Sequence, residues 1–329
     1  MLPRQAAGIW PNVVGQDRYA PAMQRTSTTW VWLPFLALGF LWGSSYLWIK
    51  IGIATLPPLT LIAGRLTLGF LFLATVVAVA RQELPRSRRQ YGHLLVMSVI
   101  NIVIPFTLIT VGEQSIDSAL ASILNAGVPL GVIILAPMFL PEEGLTAAKV
   151  VGLAVAFAGV IWLVAPGLTS GLGGSVPGEL MMLGSTISYA AGTVYARRNV
   201  RGLRPMIPAL FQVGFAAAIV VPLALIIDQP FSRVHPAPEA FAAIAWLGFL
   251  GSGAAYLCYF TIMSNWGATR TSMVAYLLPV VGIAAGALVL GDPVTPNRIA
   301  GAAMIIAGIA IVSSGPALGR RWDRREDRR

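Results

Sequence analysis

Arg65 stands about seven residues into an apolar run that opens near Pro58. A cation at that depth in a bilayer must pair, face water or reach back to an interface. Its available chemistry is attraction: of an anionic substrate group, or of Glu113 or Asp117 in a gating ion pair, with a structural anchor as the alternative. Polar residues inside the other apolar runs offer hydrogen bonds and aromatic surface. At about 100° per residue, Trp42, Ser45 and Tyr46 share one face of the first run, and Ser118, Ser122, Asn125 and Pro129 share one face of the fourth. Ser252, Tyr256 and Tyr259 align in the eighth run and Tyr276 with Pro279 in the ninth, while Tyr189 marks the sixth and Asn101 with Pro105 the third. The candidate substrate-cavity residues are Trp42, Ser45, Tyr46, Asn101, Ser122, Asn125, Tyr189, Tyr256, Tyr259 and Tyr276. Arg65 and Glu113 are the candidate gating or anchoring charges, and Pro105, Pro129 and Pro279 the candidate helix bends. A tyrosine supplies an apolar ring and a hydroxyl, which suits a cavity for amphipathic metabolites and equally suits bundle filling. Lys50, closing the first run, reads as an interfacial anchor, and Gly39 and Gly43 as points of close helix approach.

Several chemistries are excluded by residue type. The two lysines, Lys50 and Lys149, do not follow glycine, so no phosphate-cradling GxxxxGK[ST] loop can be written. His93 and His235 fall at opposite ends of the predicted bundle and cannot share a metal. No acid stands near the centre of a run, which argues against a conspicuous mid-membrane proton relay. Glu113 could still couple to protons from one end. No cofactor or metal is implied, and a membrane enzyme acting on lipid lacks the clustered His, Asp or Glu it would need.

The elements that carry these residues are set by composition. The 329 residues are 56% hydrophobic and 11% charged, and mean hydropathy is +0.75. A water-facing surface needs roughly a quarter of residues charged, so the chain is an integral membrane protein. An all-α architecture of ten transmembrane helices is expected, each near the roughly 20 residues that span a bilayer. The first run follows a tail lacking the basic-then-apolar pattern of a cleaved signal, with Met23 a second candidate start. Of the 23 Lys and Arg, nineteen collect at one end of the alternating spans, with Lys50, Arg233 and Arg298 at the other and Arg65 within. That asymmetry orients the chain with both termini cytoplasmic. It explains a net charge of +10 through anionic headgroups on the cytoplasmic side, so no nucleic-acid partner is needed.

The sequence also repeats. Pro105-Phe106 matches Ala255-Tyr256, and Pro129 matches Pro279, 150 residues on; Glu143, Thr146, Lys149, Gly152 and Gly159 match Asp292, Thr295, Arg298, Gly301 and Gly308 at 149. Trp42 falls opposite Tyr189 and Arg65 opposite Gln212 at 147. Five spans per half is an odd number, so the second half enters from the opposite side as an inverted repeat. The stretches FLWGSSYLWIKIGIATLPPLTLIAGRLTLGFLFL and VGEQSIDSALASILNAGVPLGVIILAPMFLPEEGLTAAKVVGLAVAFAGVIWLV resemble the EamA-type module of the drug/metabolite transporter superfamily. LGSGAAYLCYFTIMSNWGATRTSMVAYLLPVVGIAAGALVLGDPVTPNRIAGAAMIIAGIAIV resembles its later portion, departing at Asp292, where glutamate is more usual. The expected organisation is a tail at 1–30, disordered and cytoplasmic, five-helix repeats at 31–166 and 178–315, and a basic cytoplasmic tail at 316–329. The resemblance implies a secondary transporter of small metabolites or amphipathic compounds, often outward, across the inner membrane by alternating access around a central cavity. Import or exchange in the same fold, a membrane-embedded enzyme and a non-transporting scaffold remain the alternatives.

Overall fold

The computed structural model describes residues 32–139, 146–169, 175–200, 203–204, 206–233, 236–259, 261–262, 265 and 273–326, and these contain helices and no strand. Consecutive rods are α1 (Trp32–Ile53), α2 (Pro58–Val79), α3 (Arg88–Gly112) and α4, which runs in two pieces, Ser118–Asn125 and Val128–Phe139. They continue as α5 (Ala147–Thr169), α6 (Ser175–Asn199), α7 (Met206–Ile227), α8 (Pro238–Tyr259), α9 (Leu277–Leu290) and α10 (Pro296–Glu326). Among the described residues six helices, α1 to α4, α7 and α8, are long and apolar enough to cross a membrane, and α5, α9 and α10 contribute shorter apolar stretches. The tail before Trp32, expected to be disordered, lies outside the described residues, whereas α10 continues into the basic tail.

Helix pairing carries the repeat into three dimensions. α2 packs on α7, α4 on α9 and α5 on α10; α1 touches α8 and α9 as α6 touches α3 and α4; α2 meets α8 as α7 meets α3. Exchanging each helix with the one five places on maps these contacts onto one another. Inside lipid, apolar burial gives helices little reason to associate, so small residues that let backbones approach become decisive. A Cβ on Gly159 of α5 would come within 2.9 Å of the Gly301 carbonyl oxygen on α10. On α1, a Cβ at Gly43 would meet Val281 of α9 at 2.6 Å.

Corresponding helices are also irregular at corresponding places. Val99–Val103 in α3 and Trp246–Ala254 in α8 are π-helical, the N–H groups of Ile104 and Ala255 reaching back five residues to Val99 and Leu250. Insertions of this kind reorient the side chains that follow and recur at functional sites. Pro105 follows the first, having no N–H to return to Asn101. The displaced Ile100 carbonyl accepts the Ser188 hydroxyl of α6 at 2.6 Å. Pro129 comes just after the interruption of α4 at Ala126 and Gly127, and Pro279 just after the 3₁₀ turn Met273–Tyr276. Each of the three prolines, the candidate bends, thus lies next to an interruption of regular α-helix.

Among the described residues two large apolar clusters fill most of the bundle. One is built chiefly from α1, α4, α5, α9 and α10, with parts of α8; the other is centred on α2, α3 and α7 and includes Tyr256. Trp42 and Tyr189, the repeat partners, each pack against both clusters.

Candidate functional site

Trp42 and Tyr189, which touch both clusters, mark a seam, with Tyr46 and Tyr259 on the side of the first cluster and Tyr256 on that of the second. Trp42 meets Tyr256 edge-on with ring centroids 6.0 Å apart and Tyr259 at 5.6 Å, and those two tyrosines lie 6.5 Å from each other. The Asn125 amide donates a short hydrogen bond to the Tyr46 hydroxyl, joining α4 to α1, and the Asn125 Oδ1 is buried without a partner among the described residues. Arg65 is 6% exposed. Its Nε donates to Ser252 Oγ of α8 at 2.9 Å, and its guanidinium carbon lies 3.9 Å from the centroid of the Phe106 ring, within cation–π range. Tyr189, Tyr256, Tyr46 and Glu113 are within electrostatic reach of this cation. Among the described residues no carboxylate stands within ion-pair distance of it. On the other side of the pseudo-twofold, Asn101 Nδ2 of α3 donates to Gln212 Oε1 of α7 at 3.3 Å, and a Cβ on Gly192 would press against Asn101.

The two ends of the bundle differ. At one, here the acidic end, carboxylates stitch the halves together. Asp117 caps the start of α4 by accepting from Leu120 N–H at 2.9 Å and forms an ion pair with Arg298. Asp292 accepts from Ser118 Oγ at 2.7 Å and from the Ala119 N–H at 3.2 Å. Pro57 precedes α2 and can offer no side-chain cap, so Asp228 supplies one from the other half, accepting from Thr60 N–H at 2.7 Å and its Oγ1 at 2.8 Å. Lys50 donates to the backbone carbonyls of Glu113 and Ile116, tying α1 to the turn after α3. Glu113, one residue beyond α3, is completely buried, and neither carboxylate oxygen has a hydrogen-bond partner among the described residues. Burial pushes its carboxyl well above the usual carboxylate range, against the opposing pull of Lys50. The arginine-rich end holds looser links: His93 Nδ1 with the Tyr195 hydroxyl at 2.7 Å, and exposed Arg204 donating to Gln82 Oε1 at 3.0 Å.

Several sequence expectations are corrected by these contacts. Asp117 is engaged by Arg298, so Arg65 does not pair with it, and Arg65 is clamped in the bundle instead of reaching an interface. Lys50 is a tie between helices, not a lipid anchor, because two carbonyls left over at the end of α3 and in the turn after it lie within its reach. Ser45 and Ser122 return their hydroxyls to the Leu41 and Ala119 carbonyls of their own helices, at 2.8 and 2.7 Å. Ser122 also packs on Gly282. Such back-bonding satisfies a serine hydroxyl within its own helix. Tyr276 closes the turn ahead of α9, and its side chain lies outside the described residues. Phe106, Ser188 and the Thr60–Asp228 clasp were not anticipated. For the clasp, a threonine three residues after a proline that cannot cap was the available signal.

Paired helical halves, a polar seam between two apolar clusters and span-length apolar rods define a two-repeat membrane transporter. The model of the EamA-like transporter family matches residues 29–165 and again 176–314. The chain belongs to that family, and membership of the drug/metabolite transporter superfamily fits. It is 28% identical to the "Uncharacterized transporter YvbV" of Bacillus subtilis, covering 86% of this chain and 90% of that one. It is 27% identical to the "Uncharacterized inner membrane transporter YedA" of Escherichia coli K12, with the same coverage. The "Probable amino-acid metabolite efflux pump" of Escherichia coli K12 is 26% identical over 85% of this chain and 92% of its own length. A solved crystal structure superposes with a TM-score of 0.65 over 89% of this chain and 99% of its own, at 23% identity.

Proposed function

We propose that the chain is a secondary transporter exporting small metabolites that carry an anionic group, such as a carboxylate, with the seam as its binding region. The observation carrying this reading is Arg65, a buried cation without a carboxylate partner among the described residues, lying against the Phe106 ring, while Asn125, held on Tyr46, keeps an Oδ1 that is likewise unpartnered among them. Arginine stays charged in any protein setting, so a fixed positive charge in a low-dielectric seam favours an anion. Such a substrate would set its carboxylate on Arg65 and an apolar or hydrogen-bonding remainder against Trp42, Tyr189 and Tyr256. The name of the relative described as an amino-acid metabolite efflux pump points the same way.

In this reading the ten rods all span the inner membrane as two inverted halves, and the arginine-rich end, with both termini, faces the cytoplasm, where anionic headgroups are its lipid partners. The stitched acidic end is then the closed outer side, and alternating access consists of exchanging closure between the two ends. Import or exchange in the same frame is the second reading, favoured over a scaffold by the unsatisfied polar groups in the seam.

A thermal-shift series on purified chain, comparing amino acids, neutral nucleosides and cationic drugs, tests the substrate class. Carboxylate compounds should raise the unfolding midpoint, and the rise should vanish in Arg65→Leu. Stabilisation by cationic drugs alone would reject the assignment. Efflux from right-side-out and inverted proteoliposomes then fixes direction.

A further inference from the structure

We infer that Glu113 is a proton-binding site coupling closure of the acidic end to transport, so that the chain exchanges protons for its substrate. This rests on the transporter reading above and deepens it by naming the coupling ion. Glu113 is 0% exposed, and its two carboxylate oxygens have no hydrogen-bond partner among the described residues. A bare carboxylate in such a position costs several kcal/mol, and the group avoids that cost by holding a proton.

The surrounding charges are committed elsewhere. From α1, Lys50 donates to the Glu113 and Ile116 carbonyls, and the Tyr46 hydroxyl takes the Asn125 amide. From α2, Arg65 is held by Ser252 and Phe106. Asp117 ahead of α4 is engaged by Arg298, and Asp292 ahead of α10 by Ser118 and Ala119, and both acids oppose a further negative charge nearby. α6 packs on this turn through Gly178, which approaches Gly112, and carries another acid at Glu179. The closed acidic end is thus built around a neutral Glu113.

Its position makes the proton consequential. Glu113 lies in the turn that Lys50 holds and within electrostatic reach of Tyr46 and Arg65 in the seam. When the proton leaves, a carboxylate appears beside Lys50 and becomes a stronger acceptor than the two carbonyls that Lys50 now holds. Lys50 then leaves the Ile116 carbonyl for the Glu113 side chain, and its hold on the approach to α4 loosens. With the acidic end open, a hydronium ion from the water there gives its proton to the carboxylate, and the neutral acid allows that end to close. Once the arginine-rich end opens, the proton passes to water on that side as substrate loads.

Infrared titration of the full chain in micelles tests the site without any substrate. Wild type should show a protonated-carboxyl band that disappears on alkalinisation and is missing from both Glu113→Gln and Glu113→Met. If the band is absent from wild type, or survives in both variants, Glu113 is not the site. The coupling is tested in proteoliposomes loaded with a radiolabelled equimolar mixture of the twenty common amino acids. For one proton per substrate, a gradient of one pH unit, acid at the face bearing the acidic end, should raise steady-state accumulation on that side about tenfold. In the two variants the ratio with and without gradient should fall to one. Variants that keep the tenfold response, or wild-type flux indifferent to the gradient, overturn the coupling while leaving the transporter reading intact. Wild type that moves none of the mixture under any gradient counts against the proposed substrate and the coupling together, while the infrared result still decides the site.

Discussion

Arg65 on α2 and Gln212 on α7 hold corresponding places in the two halves, and each reaches a polar side chain on a π-helical partner. Arg65 meets Ser252 of α8, and Gln212 meets Asn101 of α3. The frame around them is matched, because α2–α8 contact repeats as α7–α3 contact. The chemistry is not matched. Gln212 and Asn101 satisfy one another as neutral amides, whereas Arg65 brings a full charge that Ser252 and Phe106 only partly answer. A duplicated frame thus holds a neutral amide pair in one half and a charged residue in the other.

Making the two clamps alike should have the largest effect. Arg65→Gln removes the unmatched charge and should weaken carboxylate ligands by about 3 kcal/mol, roughly a hundredfold or more in Kd, with little change for neutral compounds. Equilibrium binding by calorimetry measures this; unchanged carboxylate affinity would assign Arg65 to packing alone. Gln212→Leu should instead cost about 1 kcal/mol of stability through the lost bond to Asn101, leaving ligand affinity within a few-fold.

The α2–α7 pair extends the contrast to the two ends of the bundle. Asp228 caps α2 through two hydrogen bonds at the acidic end, so Asp228→Ala should cost about 1–2 kcal/mol and lower the unfolding midpoint measurably. Glu113, at the same end, gives a pH signature. Its carboxyl holds a proton more tightly in the folded chain than in the unfolded one. Stability relative to Glu113→Gln should therefore be greatest below about pH 4.3 and fall as pH rises toward the raised value, levelling off above it. A relative stability that rose with pH would mean an ionised, compensated Glu113.

Much of this frame was legible because it depends on patterns that any helix in lipid must obey. The register joining Pro105 to Ala255 located the paired π-helical stretches, and the offset joining Trp42 to Tyr189 located the two residues that touch both apolar clusters. Partner choice was less legible. Ser45 and Ser122 share faces with Tyr46 and Asn125, yet only the longer side chains reach across to another helix, while the short hydroxyls turn back to their own carbonyls. Lys50 and Asp117 were misassigned because their partners, the turn after α3 and Arg298, are brought in by helix packing that periodicity does not encode.

The smallest effect belongs to the counterpart of the Asp228 clasp. At the arginine-rich end the same helix pair is linked by Arg204 and Gln82, a bond between an exposed cation and a neutral amide. Water competes for both groups and salt screens the charge, so Arg204→Ala should change the unfolding midpoint by less than about 0.5 kcal/mol equivalent. If this end must open for substrate to load, a weak link there is required, and a strong one should impede transport. Replacing Gln82 by Glu converts the contact into an ion pair with Arg204 and makes it resemble the acidic end. Transport should slow in Gln82→Glu at low salt and recover as ionic strength rises, with no loss of ligand affinity. An unchanged rate at low salt would show that this contact takes no part in opening, and the functional contrast between the ends would then rest on the acidic end alone.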